Sequence, residues 1–324
     1  IELFGGTATS ATFNDQVVLD DSVTINSAGA NGITFADLVD SIGAEANDLT
    51  VNTTGGETTT FTGAVGSGDI SDLTGGVATN ALGLGNLRTD MTALSGVNAN
   101  GNGTTILQGH QADGASDGLI RTSGDQVYND PILINEAVTT NLFIEGVNVS
   151  FLSTVNEGAT DSQDLTVNAT GTTQFGDEAP AGTDAVGGVT PLASLTTDSV
   201  AVSGTTVSYA NITTDGSTQT YNDPFIVAGN ITLQDDGANG IFFNNRVDDM
   251  TAGTNTLTVD TTANAAAVIQ FGDGVAGGGA SVTDQVGSIA PLASLNVDVN
   301  DASIIIVRAA DAAGNGLIAT TGDQ

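Results

Sequence analysis

The chain is a succession of short runs in which apolar and polar residues alternate, interrupted at brief intervals by Gly, Asn and Asp. Residues 22–25, 49–52 and 205–209 follow this period of two, which is typical of strands that bury one face and expose the other. Helical periodicity is nearly absent, and its best candidate, residues 36–46, contains Gly43 and β-branched residues. The pattern therefore predicts an all-β protein built from many short strands.

An aromatic-Asn-Asp motif recurs along the chain and anchors a degenerate repeat. The three copies are Phe13-Asn14-Asp15, Tyr128-Asn129-Asp130-Pro131 and Tyr221-Asn222-Asp223-Pro224. Their aromatic residues lie 115 and 93 residues apart. Internal self-similarity of this kind indicates a repeat architecture. We therefore predict three repeat units in one continuous solenoid, at residues 1–126, 127–219 and 220–324.

Shorter motifs keep their places within these units. They are Asn-Gly-Ile at 31–33 and 239–241, Leu-Thr-Val followed by Asn or Asp at 49–52, 165–168 and 257–260, phenylalanine at 61, 175 and 271, Pro-Leu-Ala-Ser-Leu at 191–195 and 291–295 with a counterpart at 84–87, and Gly-Asp-Gln at 124–126 and 322–324. The Leu, Val and Phe positions should point inward, at equivalent places of equivalent coils. Because Gly-Asp-Gln precedes the anchor Tyr128, we expect residues 322–324 to lead into a further repeat or to dock on another subunit.

Two all-β architectures fit many short strands with frequent turns. One is a string of tandem β-sandwich domains, and the other is a right-handed parallel β-helix, or β-solenoid. The unequal unit lengths favour the solenoid, because loops on one face of a coil can grow without disturbing the core. Aromatic residues are only 4% of the chain and Trp is absent, which also suits a narrow core of Val, Ile and Leu.

The net charge of −34, from 38 acidic and 4 basic residues, excludes one class of function. Such a surface repels nucleic acids and anionic lipid headgroups, which require clustered Lys and Arg, and it favours cations as partners. Hydrophobic residues still make up 39% of the chain, which is enough for a continuous core. Cysteine is absent, and no apolar stretch approaches the roughly 18 residues of a membrane helix.

Together the motifs resemble the repeats of filamentous-haemagglutinin-like and autotransporter-type β-strand repeat surface proteins of bacteria. The resemblance covers nearly the whole chain. It rests on the anchors, Asn-Gly-Ile-Thr-Phe at 31–35, Leu-Thr-Val-Asn at 49–52, Thr-Ser-Gly-Asp-Gln at 122–126 and Pro-Leu-Ala-Ser-Leu-Thr-Thr-Asp at 191–198. It implies a right-handed parallel β-helix, secretion, and a role in adhesion, biofilm or extracellular filaments at the cell surface.

The candidate catalytic motifs have structural interpretations that we favour. The Gly-x-Ser-x-Gly match at 114–118 contains Ser116, but the single histidine, His110, precedes it and no helix is predicted to follow. Acidic pairs such as those of sugar-cleaving β-helices are spread along the chain, which suits solvated turns. They are Asp20-Asp21, Asp235-Asp236 and Asp248-Asp249, the last near Arg246. We predict no catalytic residues and no cofactor.

Metal binding and glycosylation stay open. Asp-Gly and Gly-Asn-Gly turns supply oxygen ligands for calcium, but the sequence has neither the nonapeptide calcium repeat nor an EF-hand loop, so calcium would bind at scattered sites. A lone histidine without cysteine excludes the usual zinc sites, and a chain without lysine has no phosphate-binding P-loop. Asn-x-Ser/Thr sequons occur at Asn52, Asn102, Asn148, Asn168, Asn211 and Asn230.

The expected function is structural: an extracellular rod or filament segment of a bacterial surface adhesin or fibre, and not an enzyme. Expected partners are further repeats or other copies of the chain, together with cell-surface glycans or divalent cations. The alternative is a carbohydrate-active β-helix that binds or cleaves a polysaccharide, which carboxylates clustered in one groove would indicate.

Overall fold

The computed structural model describes residues 2–3, 10–27, 32–42, 45–53, 56–66, 83–91, 103–110, 117–135, 141–158, 163–177, 184–199, 204–237, 239–261, 267–273, 284–297, 304–308 and 317–322. Within these ranges the chain forms strands and no helix, so the all-β prediction is confirmed. The described part contains no long apolar helix of the kind that crosses a membrane. The chain divides into two compact units, Ile1–Gly158 and Ala159–Gln324.

The first unit is a stack of short parallel strands. They are β1 (Glu2–Leu3), β2 (Ala11–Phe13), β3 (Val17–Leu19), β4 (Val23–Ser27), β5 (Ile33–Phe35), β6 (Val39–Ser41), β7 (Leu49–Asn52), β8 (Thr58–Gly63), β9 (Leu87–Thr89), β10 (Thr104–His110), β11 (Asp117–Arg121), β12 (Gln126–Tyr128), β13 (Ile132–Ile134), β14 (Asn141–Gly146), β15 (Val149–Phe151) and β16 (Val155–Glu157).

In the first unit each strand pairs in parallel with the third strand after it, counting Val65 as a strand position, so that the chain forms successive coils. The β1 sheet joins β1, β4, β7, β9, β12 and β15, and the β2 sheet joins β2, β5, β8, β10, β13 and β16. The β3 sheet runs from β3 and β6 through the single bridging residue Val65 to β11 and β14. Three consecutive strands therefore make one coil, and Val65 fills one strand position between β8 and β9.

The second unit follows the same rule. Its strands are β17 (Asp164–Ala169), β18 (Thr172–Phe175), β19 (Ala185–Val186), β20 (Ser194–Thr197), β21 (Thr205–Ser208), β22 (Asn211–Thr214), β23 (Thr218–Tyr221), β24 (Phe225–Val227), β25 (Ile231–Asp235), β26 (Gly240–Phe243), β27 (Val247–Asp249), β28 (Thr256–Asp260), β29 (Val268–Phe271), β30 (Ser294–Val297) and β31 (Ile304–Val307).

Its three sheets are again parallel. The β17 sheet joins β17, β20, β23, β26, β29 and β31. The β18 sheet joins β18, β21, β24 and β27 and continues through bridges at Val286 and Ile318. The β19 sheet joins β19, β22, β25, β28 and β30. Parallel ladders of this regularity support the solenoid over tandem β-sandwiches, which are antiparallel.

The core of each unit is a set of inward rows that continue from coil to coil. Phe13, Phe35 and Phe61 stack in the first unit with ring centroids 5.1 and 5.0 Å apart. These spacings match the roughly 4.8 Å between paired strands. The residues predicted to point inward are all buried, which confirms their orientation: Leu49, Val51, Phe61, Leu165, Val167, Phe175, Leu257, Val259 and Phe271.

Equivalent motifs do not lie on equivalent sheets, and here the sequence prediction was wrong. Phe13 lies in the β2 sheet, whereas the next anchor, Tyr128, lies in the β1 sheet of the same unit. In the second unit Leu165 belongs to the β17 sheet and its equivalent Leu257 to the β19 sheet. The cause is numerical, because β28 follows β17 after eleven strands and eleven is not a multiple of three. Each repeat thus steps back by one sheet.

In its described residues, 36–42 and 45–46, the one helical candidate of the sequence contains a strand and no helix. Residues 36–46 contain β6, whose Val39 is fully buried and pairs with Val17. Tertiary pairing with the neighbouring coils therefore decides the conformation here, as the β-branched content suggested.

Candidate functional site

The Gly-x-Ser-x-Gly match falls mostly outside the described residues, which exclude 111–116. His110 is exposed at the end of β10, where it forms an antiparallel bridge to Gly118. The relation between Ser116 and His110 therefore lies outside the described part of the chain.

The first two acidic pairs lie at the ends of strands β3 and β25. Asp20 and Asp21 are both exposed. Asp235 is instead fully buried and accepts hydrogen bonds from the Thr214 hydroxyl at 2.8 Å and from the Gly240 N–H at 2.9 Å. Burial raises the pKa of Asp235 to about 6. The solvated-turn interpretation thus holds for the first pair, while Asp235 is an internal acceptor that fixes the turn into β26.

The third acidic pair holds two loops. Arg246 lies 3.0 Å from the Asp248 carboxylate, which also accepts N–H groups of residues 289–290. Asp249 accepts backbone N–H groups of the turn at 251–255. These carboxylates are engaged by the protein's own backbone, and both are buried rather than solvated.

A different pair of buried carboxyl groups meets between neighbouring coils of the first unit. Asp90 follows β9, and Asp130 follows β12, its partner strand. The hydroxyls of Thr89 and Thr105 each donate to one oxygen of Asp130 at 2.7 Å. Asp90 accepts from the N–H and the hydroxyl of Thr53. The two acids therefore connect three successive coils.

The second unit contains a related arrangement of two threonines and two aspartates. Asp198 follows β20, and Asp223 follows its partner strand β23. Asp223 accepts from the hydroxyls of Thr197 at 2.7 Å and Thr206 at 2.9 Å, while Asp198 accepts from the Ala169 N–H at 2.9 Å. We call each set of two threonines and two aspartates a loop-base clamp: Thr89, Asp90, Thr105 and Asp130 in the first unit, and Thr197, Asp198, Thr206 and Asp223 in the second.

The two clamps share an unusual backbone conformation at equivalent aspartates. Among the described residues, Asp90 (φ 51°) and Asp198 (φ 50°) are the non-glycine residues with positive φ. The left-handed region costs most residues free energy, although Asp tolerates it better than most because its side chain bonds locally. The same conformation recurs at the equivalent residue of both clamps. The hydrogen bonds that each aspartate accepts from the preceding coil offset its free-energy cost.

Each clamp lies between two described segments that are separated by different numbers of residues. Twelve residues separate Asp90 from Gly103, and five separate Asp198 from Gly204. Glycine is needed where each loop closes, because a Cβ atom would lie 2.7 Å from the Asp90 carboxylate at residue 103 and 2.3 Å from the Asp198 carboxylate at residue 204. Similar hydrogen bonds therefore flank two intervening segments of different length.

The Leu-Thr-Val-Asn motif completes the loop base. The N–H of Met91 donates to the side chain of Asn52, and the N–H of Ser199 donates to that of Asn168, both at 2.9 Å. The motif therefore supplies two inward apolar residues and one asparagine that holds the first loop residue of the next coil.

Burial shifts the pKa values of all four clamp aspartates upward. It raises the pKa of Asp130 to about 7, with the charge of Asp90 adding to the shift and the two threonine hydroxyls opposing it. It raises the pKa of Asp223 to about 6, where the charge of Asp198 also contributes. Burial raises the pKa values of Asp90 and Asp198 as well, against the N–H groups that they accept.

The anchor tyrosines have a purely internal role. The Tyr128 hydroxyl donates to the side chain of Gln126 at 2.7 Å, and Tyr221 donates to Gln219 at 3.0 Å. All four side chains are fully buried. The first anchor, Phe13, has no hydroxyl to satisfy and accordingly has an alanine rather than a glutamine two residues before it.

Potential ligand sites in the described residues are few. Those residues contain no group of three or more His, Cys, Asp or Glu side chains that could hold a metal ion. Of the sequons, Asn52 and Asn168 are buried, Asn148 is half-buried, Asn211 and Asn230 are exposed, and Asn102 lies outside the described residues.

The structure therefore unites sequence motifs that seemed independent. Each clamp takes its threonines and aspartates from three separate segments: Leu-x-Thr-Asp at 87–90 and 195–198, Gly-Thr-Thr at 103–105 and 204–206, and the Asn-Asp-Pro of the anchor. One sequence signal could have revealed the clamps: Leu-x-Thr-Asp and then Gly-Thr-Thr precede both Tyr128 and Tyr221 in the same order. Chemically, each clamp joins neighbouring coils through hydrogen bonds to buried carboxyl groups. The chain matches no protein-family model, no curated protein and no solved structure.

Proposed function

We propose that the chain is a structural segment of an extracellular rod or filament, belonging to a bacterial surface adhesin or fibre, and that its strands wind as a right-handed parallel β-helix. Connections between parallel strands of one sheet are right-handed in almost all proteins. The resemblance of the repeats to secreted surface proteins supports the location, and the dense acidic charge would keep neighbouring rods apart.

The observation that carries the proposal is the use of polar side chains between coils. Residues that could perform chemistry, such as Asp130 and Asp223, are buried and accept hydrogen bonds from adjacent coils. The Leu49–Leu87 and Leu165–Leu195 pairs place like residues in register in successive coils. A repeating unit whose polar groups hold neighbouring coils together is suited to a structural role as a spacer that bears mechanical load.

The alternative, a carbohydrate-active β-helix, is favoured by one observation only, the Arg246–Asp248 ion pair beside Asp249. Because both carboxylates are buried and engaged by backbone N–H groups, they lack the free, water-facing geometry that glycoside hydrolysis requires.

Immunogold electron microscopy of intact source cells tests the proposal, with antibodies raised against the purified chain. We expect gold particles on fibres or on the outer surface. Label confined to the cell interior would contradict it. Incubation of the chain with a panel of polysaccharides, followed by measurement of new reducing ends, tests the alternative, which predicts release that is lost in Asp249→Asn.

A further inference from the structure

We propose that Met250 is a site of oxidation by peroxides, and that the hydroxyl of Tyr209 binds the resulting sulfoxide and so joins two coils of the second unit more firmly. The inference does not rest on the filament proposal, since it concerns the contact between two side chains of this chain.

Tyr209, Ala228 and Met250 occupy one corner of three successive coils. They directly follow paired residues of strands β21, β24 and β27. The N–H of Ala228 donates to the carbonyl oxygen of residue 208, and the N–H of Met250 donates to that of residue 227, both at 2.9 Å. Tyr209 and Met250 are therefore two coil steps of about 4.8 Å apart, and the small side chain of Ala228 occupies the coil between them.

The phenol of Tyr209 spans this distance. Its hydroxyl donates to the Sδ atom of Met250 at 3.3 Å. The backbone of Met250 is held on both sides, because Asp249 accepts the N–H groups of residues 251, 254 and 255 in the turn that follows. The sulfur is thus fixed beside a hydrogen-bond donor, while the Met250 residue is 48% exposed and accessible to a small solute.

A thioether sulfur at an accessible site reacts with peroxides through its lone pair. The Sδ atom attacks one oxygen of the peroxide, so that an S–O bond forms and the O–O bond breaks. With hydrogen peroxide, the proton on the transferred oxygen moves to the departing oxygen, which leaves as water. The sulfur gives up an electron pair and is oxidised, and the peroxide is reduced.

Oxidation changes the strength of the contact with Tyr209. A thioether sulfur is a weak acceptor, whereas the sulfoxide carries a polar oxygen. The methionine side chain is unbranched and rotates freely, so that it can turn the new oxygen toward the Tyr209 hydroxyl. A full hydrogen bond in place of a weak one should favour the closed corner by about threefold to tenfold.

Met91 is the other methionine of the chain and provides an internal comparison. It is 40% exposed, close to the value for Met250. Its backbone N–H donates to the side chain of Asn52, and among the described residues no donor reaches its sulfur. Oxidation of Met91 should therefore strengthen no contact between coils.

Hydrogen–deuterium exchange before and after treatment with hydrogen peroxide tests the proposal. The full chain carries Met91→Leu, so that Met250 is its single methionine, and mass spectrometry confirms the gain of one oxygen atom. The reporter amides are those of Ala228 and Thr251, and the control amide is that of Asn244, which donates to residue 221 at another corner. We expect oxidation to raise the protection of the reporters at least about threefold and to leave the control unchanged.

Two variants test the assignment. Tyr209→Phe keeps the ring and removes the donor, so oxidation should no longer raise the protection of Ala228. Met250→Leu in the chain that keeps Met91 should likewise show no gain after treatment, and it decides the question should Tyr209→Phe fail to fold. A gain at Ala228 that persists in either variant overturns the proposal. The same holds if the chain with both residues shows no gain, or if peroxide does not oxidise Met250.

Discussion

At the scale of single residues, the buried anchor tyrosine shows how one polar atom is accommodated in an apolar core. Tyr221 is fully buried, and its hydroxyl finds Gln219, whose amide group in turn donates to backbone carbonyls at 212 and 234. Buried polar groups are stable only when they are hydrogen-bonded. The glutamine is therefore a necessary companion of the tyrosine.

We predict that Tyr221→Phe destabilises the protein by about 1–3 kcal/mol, because the buried Gln219 carbonyl oxygen loses its donor. Urea unfolding followed by circular dichroism measures the change. Tyr209→Phe is the matched control, since the Tyr209 hydroxyl donates to the sulfur of the exposed Met250 at 3.3 Å. It should change stability by less than about 0.5 kcal/mol. Equal effects of the two substitutions would contradict the prediction.

Residue-level patterns predicted burial well and partnership poorly. Alternation placed Val167 and Phe175 inward, because a strand has a fixed period of two. It could not reveal that Asp130 meets Asp90, forty residues earlier, since that contact depends on which strands become neighbours in the coil. The acidic pairs that the sequence singled out were interpreted as solvated turn residues, and neither Asp90 nor Asp130, both buried, was among them.

At the scale of elements, side chains that precede equivalent strands form ladders along the corners of the coil. In the first unit Asn86 donates to Asp48 at 2.8 Å, and Asn148 donates to Asp125 at 2.8 Å. The N–H of Asp125 donates to the Asn86 side chain at 2.7 Å, which connects the two pairs. Neighbouring positions lie only about 5 Å apart. Alternation of acid and amide keeps like charges from becoming neighbours.

Asn86→Asp should destabilise the first unit by about 1–3 kcal/mol at low ionic strength, because three carboxylates would then stand in successive coils and the amide donor would be lost. Added salt should recover part of the loss through screening. Asn86→Ser is the control for the lost donor, since Ser22 already accepts the N–H of Asp48 in this ladder. The comparison is made by thermal unfolding in 10 mM and 500 mM NaCl, two conditions chosen on the basis of the Debye length. A salt-independent difference between the two variants would contradict the charge argument.

Strand entry depends on glycine at one place in particular. Gly240 has a φ of 108°, and a Cβ atom there would lie 1.9 Å from the carbonyl oxygen of Val268 in the next coil. The equivalent Gly32 meets the carbonyl oxygen of Thr58 at 2.1 Å. The Asn-Gly-Ile motif of the sequence is thus explained by close approach of two backbones.

Gly240→Ala should therefore cost at least about 1–3 kcal/mol of stability, through backbone strain and displacement of the neighbouring strand. Gly229→Ala is the matched control in the same unit. Its nearest neighbour would be 3.4 Å away and its φ is not in the strained range, so we expect no loss and even a slight gain. Thermal denaturation of both variants distinguishes these outcomes, and a neutral Gly240→Ala would show that the backbone can yield at this point.

The sequence could not predict which sheet of the coil each motif belongs to, because that depends on the number of strands between motifs. Motif spacings of 115 and 93 residues contain different numbers of loop residues, so the strand count of a repeat is hidden until pairing is known. Leu165 and Leu257 look interchangeable in the sequence, yet they pair within different sheets.

At the scale of the whole molecule, the exposed apolar strand β31 predicts that copies of the chain associate. Ile305 continues the inward row of the buried Ile269, its partner in β29, but is 47% exposed. Ile304 and Val307 of the same strand are also more than half exposed. Strand edges with apolar side chains pair with further strands, so this surface favours association with a second copy of the chain.

We predict that the 324-residue chain associates in a concentration-dependent way and that Ile305→Asp weakens this association at least about tenfold, since it places a charge in the apolar strand. Sedimentation velocity over a hundredfold range of concentration, set on the basis of mass action, measures it. Val189→Asp, at a site that is 86% exposed in a turn, should associate like the wild type. A chain that stays monomeric throughout would defeat the prediction.

The mismatch between an eleven-strand repeat and a three-strand coil has a consequence for recognition. In a longer array of such repeats, an epitope carried once per repeat would face a different side of the coil in each of three successive repeats. It would return to its first orientation only in the fourth. A flat partner, such as another cell surface, could then touch one epitope in three at most. The remaining two would face other directions, so a fibre with this phase offers binding sites on every side without needing to rotate.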